Sequence, residues 1–232
     1  MLHKRQFYFS DPVQLNDPYD CQISIKEALV EAIENNQINN RTLLKEKLNK
    51  LLKLKDLYIK IEKDIKNCGT LSLSKKNADV LMWSHYGHEH RGFCLGFELS
   101  DKFTKHNHEN GIIGKSDVYY CEYNPFLDFF NNFGESEELP SWNEFWLPLL
   151  NLGLIAKSKP WEYENEVRVV RAKPGLVSFE PTELVEVIFG LRTSKEHEKE
   201  IRDILNKEEW QHIKYKRLAH KGKGFMVQVV DA

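Results

Sequence analysis

Long apolar runs, paired cysteine spacings, glycine-rich phosphate loops and a dominant charge sign are all missing from this 232-residue chain. Each gap removes a class of protein. The longest apolar runs fall far short of a bilayer's thickness, which excludes a membrane-spanning helix. The stretch from Met1 to Phe7 carries no apolar signal core before it reads as a strand. The cytoplasm is therefore the expected compartment, and no membrane is expected as a partner. Cys21, Cys68, Cys94 and Cys121 stand far apart, fitting neither a zinc knuckle nor a disulfide-dense secreted domain. Buried reduced thiols are expected, with Cys94 and Cys121 inside strand-like runs. The formal net charge is −2 and no basic tail appears, so no global field advertises nucleic acid or an anionic surface. There is no Gly-x-Ser-x-Gly elbow and no His-Glu-x-x-His helix. Without internal repeats or a flexible linker, residues 1–232 read as a single domain.

What is present alternates between strand and helix signals. Phe7 to Ser10 reads as a short strand, followed by the turn-rich Leu15-Asn16-Asp17-Pro18-Tyr19-Asp20. Ser24 with Glu27 makes a capping box opening a helix to about Glu34. A polar break over Asn35 to Asn40 follows, and then a longer helix carrying Leu44, Leu48, Leu51, Leu52 and Ile59. Residues 25–66 thus read as a helical hairpin, its lysines a solvated face or a nucleic-acid groove. Further strands are expected at Thr70–Ser74, Gly92–Leu99, Asp117–Tyr123, Leu184–Gly190, Ile213–Leu218 and Phe225–Val230. Asn77 is the expected cap of a short helix around Val80 to Trp83, and Thr193 with Glu196 the cap of one reaching about Leu205. Residues 124–140 read as a long acidic loop. Ser141 and Glu144 open an aromatic helix that Pro148 should kink or restart. On the Gly92 strand, Gly92, Cys94 and Gly96 leave a shallow face that a ligand or a packed helix can approach. The fold class that follows is α+β: a mostly antiparallel central sheet flanked by helices, with the helical hairpin inserted near the amino terminus.

Four constellations carry chemistry. In Trp161 to Val170 strand alternation puts Glu162, Glu164, Glu166 and Arg168 on one face, with Trp161, Tyr163, Val167 and Val169 on the other. Neighbouring carboxylates repel and an adjacent arginine relieves them, so this face either meets water or lines a site. Ser72 and Ser74 share a strand face and can hold a ribose or phosphate, or be ordinary strand serines. His85, His88 and His90 invite a metal, yet their spacing matches no standard closed zinc site and Gly87 interrupts the helix. A buried hydrogen-bonding role is expected for His85 or His90. The Asn16 to Asp20 stretch reads as a turn held by its own side chains.

Taken together, Phe9-Ser10-Asp11-Pro12 with Leu15 to Asp20, Leu81-Met82-Trp83-Ser84-His85-Tyr86 with His90 to Cys94, Lys157 with Trp161 to Arg168, and Val187 to Gly190 resemble a bacterial family. It is the domain-of-unknown-function family twenty-nine seventy-one, which carries no established activity. More distantly, Ser72 and Ser74 with the Glu-x-Glu pair Glu164 and Glu166 resemble two of the three signatures of Arg-Ser-Glu ADP-ribosyltransferases. That resemblance implies NAD as substrate and transfer of ADP-ribose to a protein or nucleic-acid acceptor, in a toxin or phage-defence setting. It implies that Glu166 supports the ribose as positive charge develops, that Glu164 orients the acceptor, and that Ser72 and Ser74 brace the ribose and the glutamate. Tyr86, His85 and Arg91 are the further residues expected at the cofactor. The resemblance also implies an earlier strand bearing a phosphate-clamping arginine. Arg5 is the only arginine before residue 41, so either the chain starts one strand late or another arginine, such as Arg91 or Arg192, is expected to serve as the clamp. Rival readings are a non-enzymatic module offering its acidic face to a basic partner, and a metal-dependent nuclease using Glu164, Glu166 and Asp17. A ligand-facing Glu166 should tolerate change to glutamine without loss of stability.

Overall fold

The computed structural model describes residues 1–38, 41–133 and 141–232. In chain order the elements are β1 (Gln6–Phe9), α1 (Ile25–Ile38), α2 (Thr42–Lys53), α3 (Lys55–Asn67), β2 (Gly69–Ser74), α4 (Val80–His85), β3 (Phe93–Phe97), α5 (Asp101–Thr104), β4 (Ile112–Asp117) and β5 (Tyr119–Cys121). They continue with α6 (Pro125–Asn131), α7 (Trp142–Ile155), β6 (Ala156–Ser158), β7 (Glu166–Arg171), β8 (Gly175–Ser178), β9 (Leu184–Phe189), α8 (Lys195–Ile204), β10 (Lys214–His220) and β11 (Val227–Asp231). The α+β class holds, and most pairing is antiparallel. The strands divide chiefly into a sheet of order β11-β10-β9-β3 and a sheet of order β2-β7-β4, with small β1-β8 and β5-β6 pairs beside them. β9 takes the central place its apolar run predicts, pairing β10 in parallel and β3 antiparallel. Among the described residues no helix is long and apolar enough to cross a membrane.

Two large cores, with a small third one around Trp83, Ile188, Leu218 and Val227, hold these layers. One is helical: Ile25 and Leu29 of α1, Leu44, Leu48 and Leu51 of α2, Tyr58, Ile61 and Ile65 of α3, and Phe126, Phe145 and Leu149 from α6 and α7. The other lies against the sheets, where Phe7 packs edge-on against Phe97 and Phe103 near Val169, Leu184 and Phe189. Val170 reaches the helical core and Val169 the sheet core, so β7 separates the two.

Several sequence expectations change in the folded chain. The hairpin of 25–66 is three helices, because the chain breaks at the exposed Leu54 between α2 and α3. Leu51 and Tyr58 are seven residues apart, in step for one helix, so the sequence does not announce the break. It comes from packing, since α2 lies on α1 while α3 lies on α7. The polar break at Asn35 to Asn40 is shorter than expected, as α1 continues to Ile38; Asn39 and Asn40 lie outside the described residues. The long loop of 124–140 contains α6, started by Asn124 accepting from the Phe126 N–H; its remainder, 134–140, lies outside the described residues. The Ser141–Glu144 capping box forms, and α7 runs through Pro148 without restarting. Asp79, not Asn77, caps α4, and Ser194, not Thr193, caps α8. The shallow face of β3 is divided: Gly92 abuts Gly87, Gly96 abuts the Glu186 side chain and Cys94 packs against the small cluster around Trp83 and Ile188, yet Cys94 and Gly96 also line the cleft described below.

Candidate active site

The stretch expected as one long strand changes form midway. Lys159 to Glu164 winds as a 3-10 turn, Asn165 takes a left-handed conformation (φ 46°), and only then does β7 begin at Glu166. Proline at position 160 favours this short turn, and asparagine tolerates the left-handed region better than most residues. Glu162 is thereby left outside, exposed and paired with Lys159 at 2.8 Å. Glu164, Glu166 and Arg168 point inward and are almost wholly buried, with Arg168 at 0% exposure. A solvated strand face is excluded for these three.

Two distant segments complete the cluster. Asp17 caps its own turn by accepting from the Tyr19 N–H at 2.9 Å, and this directs Asp20 inward. Lys157 enters from β6. Arg168 donates to both Asp20 oxygens (2.7 and 2.5 Å), to Glu166 Oε1 through Nε (2.7 Å) and to the Leu154 carbonyl (2.7 Å). Lys157 Nζ donates to Glu164 Oε2 and, at 3.0 Å, to Glu166 Oε2. Three carboxylates against two cations leave one net formal negative charge in a buried place. Phenols finish the shell: Tyr86 donates to Glu164 Oε1 at 2.6 Å, and Tyr120 accepts the Glu166 N–H at 2.8 Å.

The electrostatics follow from this wiring. Burial alone raises the Glu166 pKa, but the hydrogen bond and charge of Arg168, then Lys157 and the Ser72 hydroxyl, carry it down to about 2. Burial lowers Lys157 and Arg168, and the facing carboxylates more than reverse this, so both remain firmly protonated. Burial, then the bond to Glu164, pushes Tyr86 up to about 12. The Cys21 thiol, touching Asp20 and Arg168, is raised by burial and is inert.

A cleft of about 990 Å³ opens over this cluster. Register pairs Ser72 with Arg168 and Ser74 with Glu166, so both serines share the cluster's face of the β2-β7-β4 sheet. Ser72, Ser74, Tyr86, Glu164 and Glu166 all line the cleft, with Asp20, Lys157 and Asn16 beside them. Ser74 also donates to the Glu164 carbonyl at 2.7 Å. His85 and Arg91 are not among the lining residues. His85 is exposed and bonded to the Tyr163 hydroxyl at 3.0 Å, while Arg91 is exposed and paired with Glu89. Neither Arg91 nor Arg192 lines the cleft; its lining instead includes Lys75, Lys76 and Lys115, of which Lys75 is paired with Asp117. Asp17, held in its turn, also stays off the lining. His88, Glu89 and His90 each adopt positive φ, and among the described residues no group of three His, Cys, Asp or Glu side chains is placed to hold a metal ion. The residues that sequence reasoning missed as site members are Asp20, Lys157, Asn16 and Tyr120. Asp20 and Lys157 already stood in the family-like motifs, but nothing local said that they meet.

Fold and site together define an α+β protein with a pre-organised ionic cluster at the floor of a cleft. The chain is similar to a family described as protein of unknown function (DUF2971), whose model matches residues 82–169. That stretch carries Tyr86, Lys157, Glu164, Glu166 and Arg168; Asp20 and the two serines lie before it. No curated protein and no solved structure matches the chain.

Proposed function

We propose that the cleft binds NAD and breaks its nicotinamide–ribose bond, passing ADP-ribose to an acceptor. The observation that carries this reading is the meeting of Ser72 and an ionised, immobilised Glu166 on one cleft. In such a reaction the C–N bond breaks with its electron pair leaving on the nicotinamide nitrogen, and the ribose carbon becomes oxocarbenium-like. A carboxylate with pKa near 2 is no proton shuttle at neutral pH. It is a fixed negative charge and a hydrogen-bond acceptor for a ribose hydroxyl. Its value grows as positive charge develops in a partly dry site. Arg168 and Lys157 hold it in place, so no reorganisation is needed during the reaction. Glu164, with Tyr86 on one oxygen and Lys157 on the other, would accept a hydrogen bond from the incoming nucleophile, whose proton is released to solvent as its bond to the ribose carbon forms. The pyrophosphate would meet Lys76 and Lys115 in place of the arginine such transferases use.

A metal-dependent nuclease is disfavoured because the three carboxylates converge on Lys157 and Arg168, which already fill the place a cation would take. The test is nicotinamide release from NAD by purified protein, with and without bacterial lysate. Wild type is expected to release nicotinamide, and Ser72→Ala to lose on the order of tenfold or more in rate at unchanged thermal stability. No release by the wild-type protein under either condition overturns the reading.

A further inference from the structure

The hairpin joining β10 to β11 projects a phenylalanine that touches nothing. Phe225 is 100% exposed and Met226 62%, although large apolar side chains normally find cover. The hairpin is nonetheless closed: the Lys221 N–H donates to the Met226 carbonyl at 2.8 Å, and Gly222 supplies the left-handed residue (φ 64°) that the turn requires. From Lys214 to Met226 there is no acidic residue, while Lys214, Lys216, Arg217, Lys221 and Lys223 fall within it. Lys216 and Arg217 are matched by Glu186 and Glu198. Lys221 and Lys223, exposed beside Phe225, have no acidic partner among the described residues. A second element adds to the patch. The turn after β9 is pinned by the Arg192 N–H on the His90 carbonyl. β9 and β10 run parallel, so the turn that carries Arg192 and the hairpin that carries Phe225 leave the same end of this sheet.

We infer that this hairpin is a single-stranded nucleic-acid contact, in which Phe225 stacks on an unpaired base while Lys221 and Lys223, with Arg192 on the flank, take the phosphates. An exposed aromatic ring next to exposed cations is the combination that base stacking and backbone neutralisation use. One phenylalanine and one methionine bury too little apolar area to hold a lipid surface, where even a myristoyl chain is marginal. Stacking needs an open base face, which favours a single strand over a duplex. The inference is independent of the NAD reading, because none of these residues lines the cleft.

Fluorescence anisotropy with a labelled oligothymidylate at low salt tests it, beside the same sequence in a duplex and phosphatidylserine vesicles. Wild type is expected to bind the single strand best. Phe225→Ala should weaken that binding about tenfold. Lys221→Gln with Lys223→Gln should lower the slope of log affinity against log salt by about 1.4, two phosphates at roughly 0.7 each. Undiminished binding by Phe225→Ala, preference for the duplex or for vesicles, or no binding at low salt would each overturn it.

Discussion

At the scale of single residues, the decisive fact is that Glu166 is both buried and ionised. Read along the chain it is a ligand-facing carboxylate whose change to glutamine should leave stability alone. In the fold it is tied to Arg168 and Lys157, and removing its charge takes a buried carboxylate partner from both, leaving Arg168 to Asp20 and Lys157 to Glu164. Breaking one partner of a buried pair costs about 3–5 kcal/mol. Glu166→Gln is therefore expected to lose about that much in a urea titration, and an unchanged midpoint would show that the pairing contributes nothing. Ser72 is the contrasting residue. It is exposed, so Ser72→Ala should stay within about 0.5 kcal/mol of wild type, and any loss of turnover in that variant reports on chemistry and not on folding. That Glu166 and Arg168 share a face was legible from strand alternation, whereas Glu164 joins them from the 3-10 turn before the strand. Asp20 and Lys157 were not legible as their partners, since each enters from a separate segment.

At the scale of elements, short-range chemistry decided how segments begin, while packing decided where they end. The Ser141–Glu144 capping box is local and appears as read. The break at Leu54 and the continuation of α7 past Pro148 are tertiary outcomes, set by what each helix packs against. β4 and β8 have little strand signature in isolation and exist because β7 and β1 offer edges to pair with. The close approaches between elements are testable. A Cβ at Gly190 would collide with the His90 carbonyl oxygen, in the loop of three left-handed residues that joins α4 to β3. Gly190→Ala is expected to cost about 1–3 kcal/mol by forcing that loop off the end of β9. Equal denaturation midpoints for variant and wild type would mean that the loop yields freely.

At the scale of the whole molecule, the ionic cluster joins the amino-terminal turn, the helical core and the β2-β7-β4 sheet through Asp20, Leu154 and Arg168. Acid should dissolve this junction with a definite sign. Glu166 has a folded pKa of about 2 against an ordinary value of 4.5. Its contribution is complete above about pH 5, falls as pH drops through 4.5 and then 2, and is gone below both. Linkage puts that contribution at roughly 3 kcal/mol. Stability measured by denaturant titration at a series of pH values is expected to fall across that window in wild type, with a shallower slope in Glu166→Gln. Parallel curves would remove Glu166 as the source.

The sequence by itself determined the α+β class, most strand and helix positions, the helix caps at Ser24 and Ser141, and the chemistry of the Glu164–Arg168 stretch. These depend on periodicity and on neighbours within a few residues. Only the tertiary structure decided that the carboxylates are buried, that Asp20 and Lys157 join them, that the serines face them across a register, and that Arg91 stays outside. Burial and long-range pairing arise from which surfaces the chain removes from water together, and no local pattern encodes that choice.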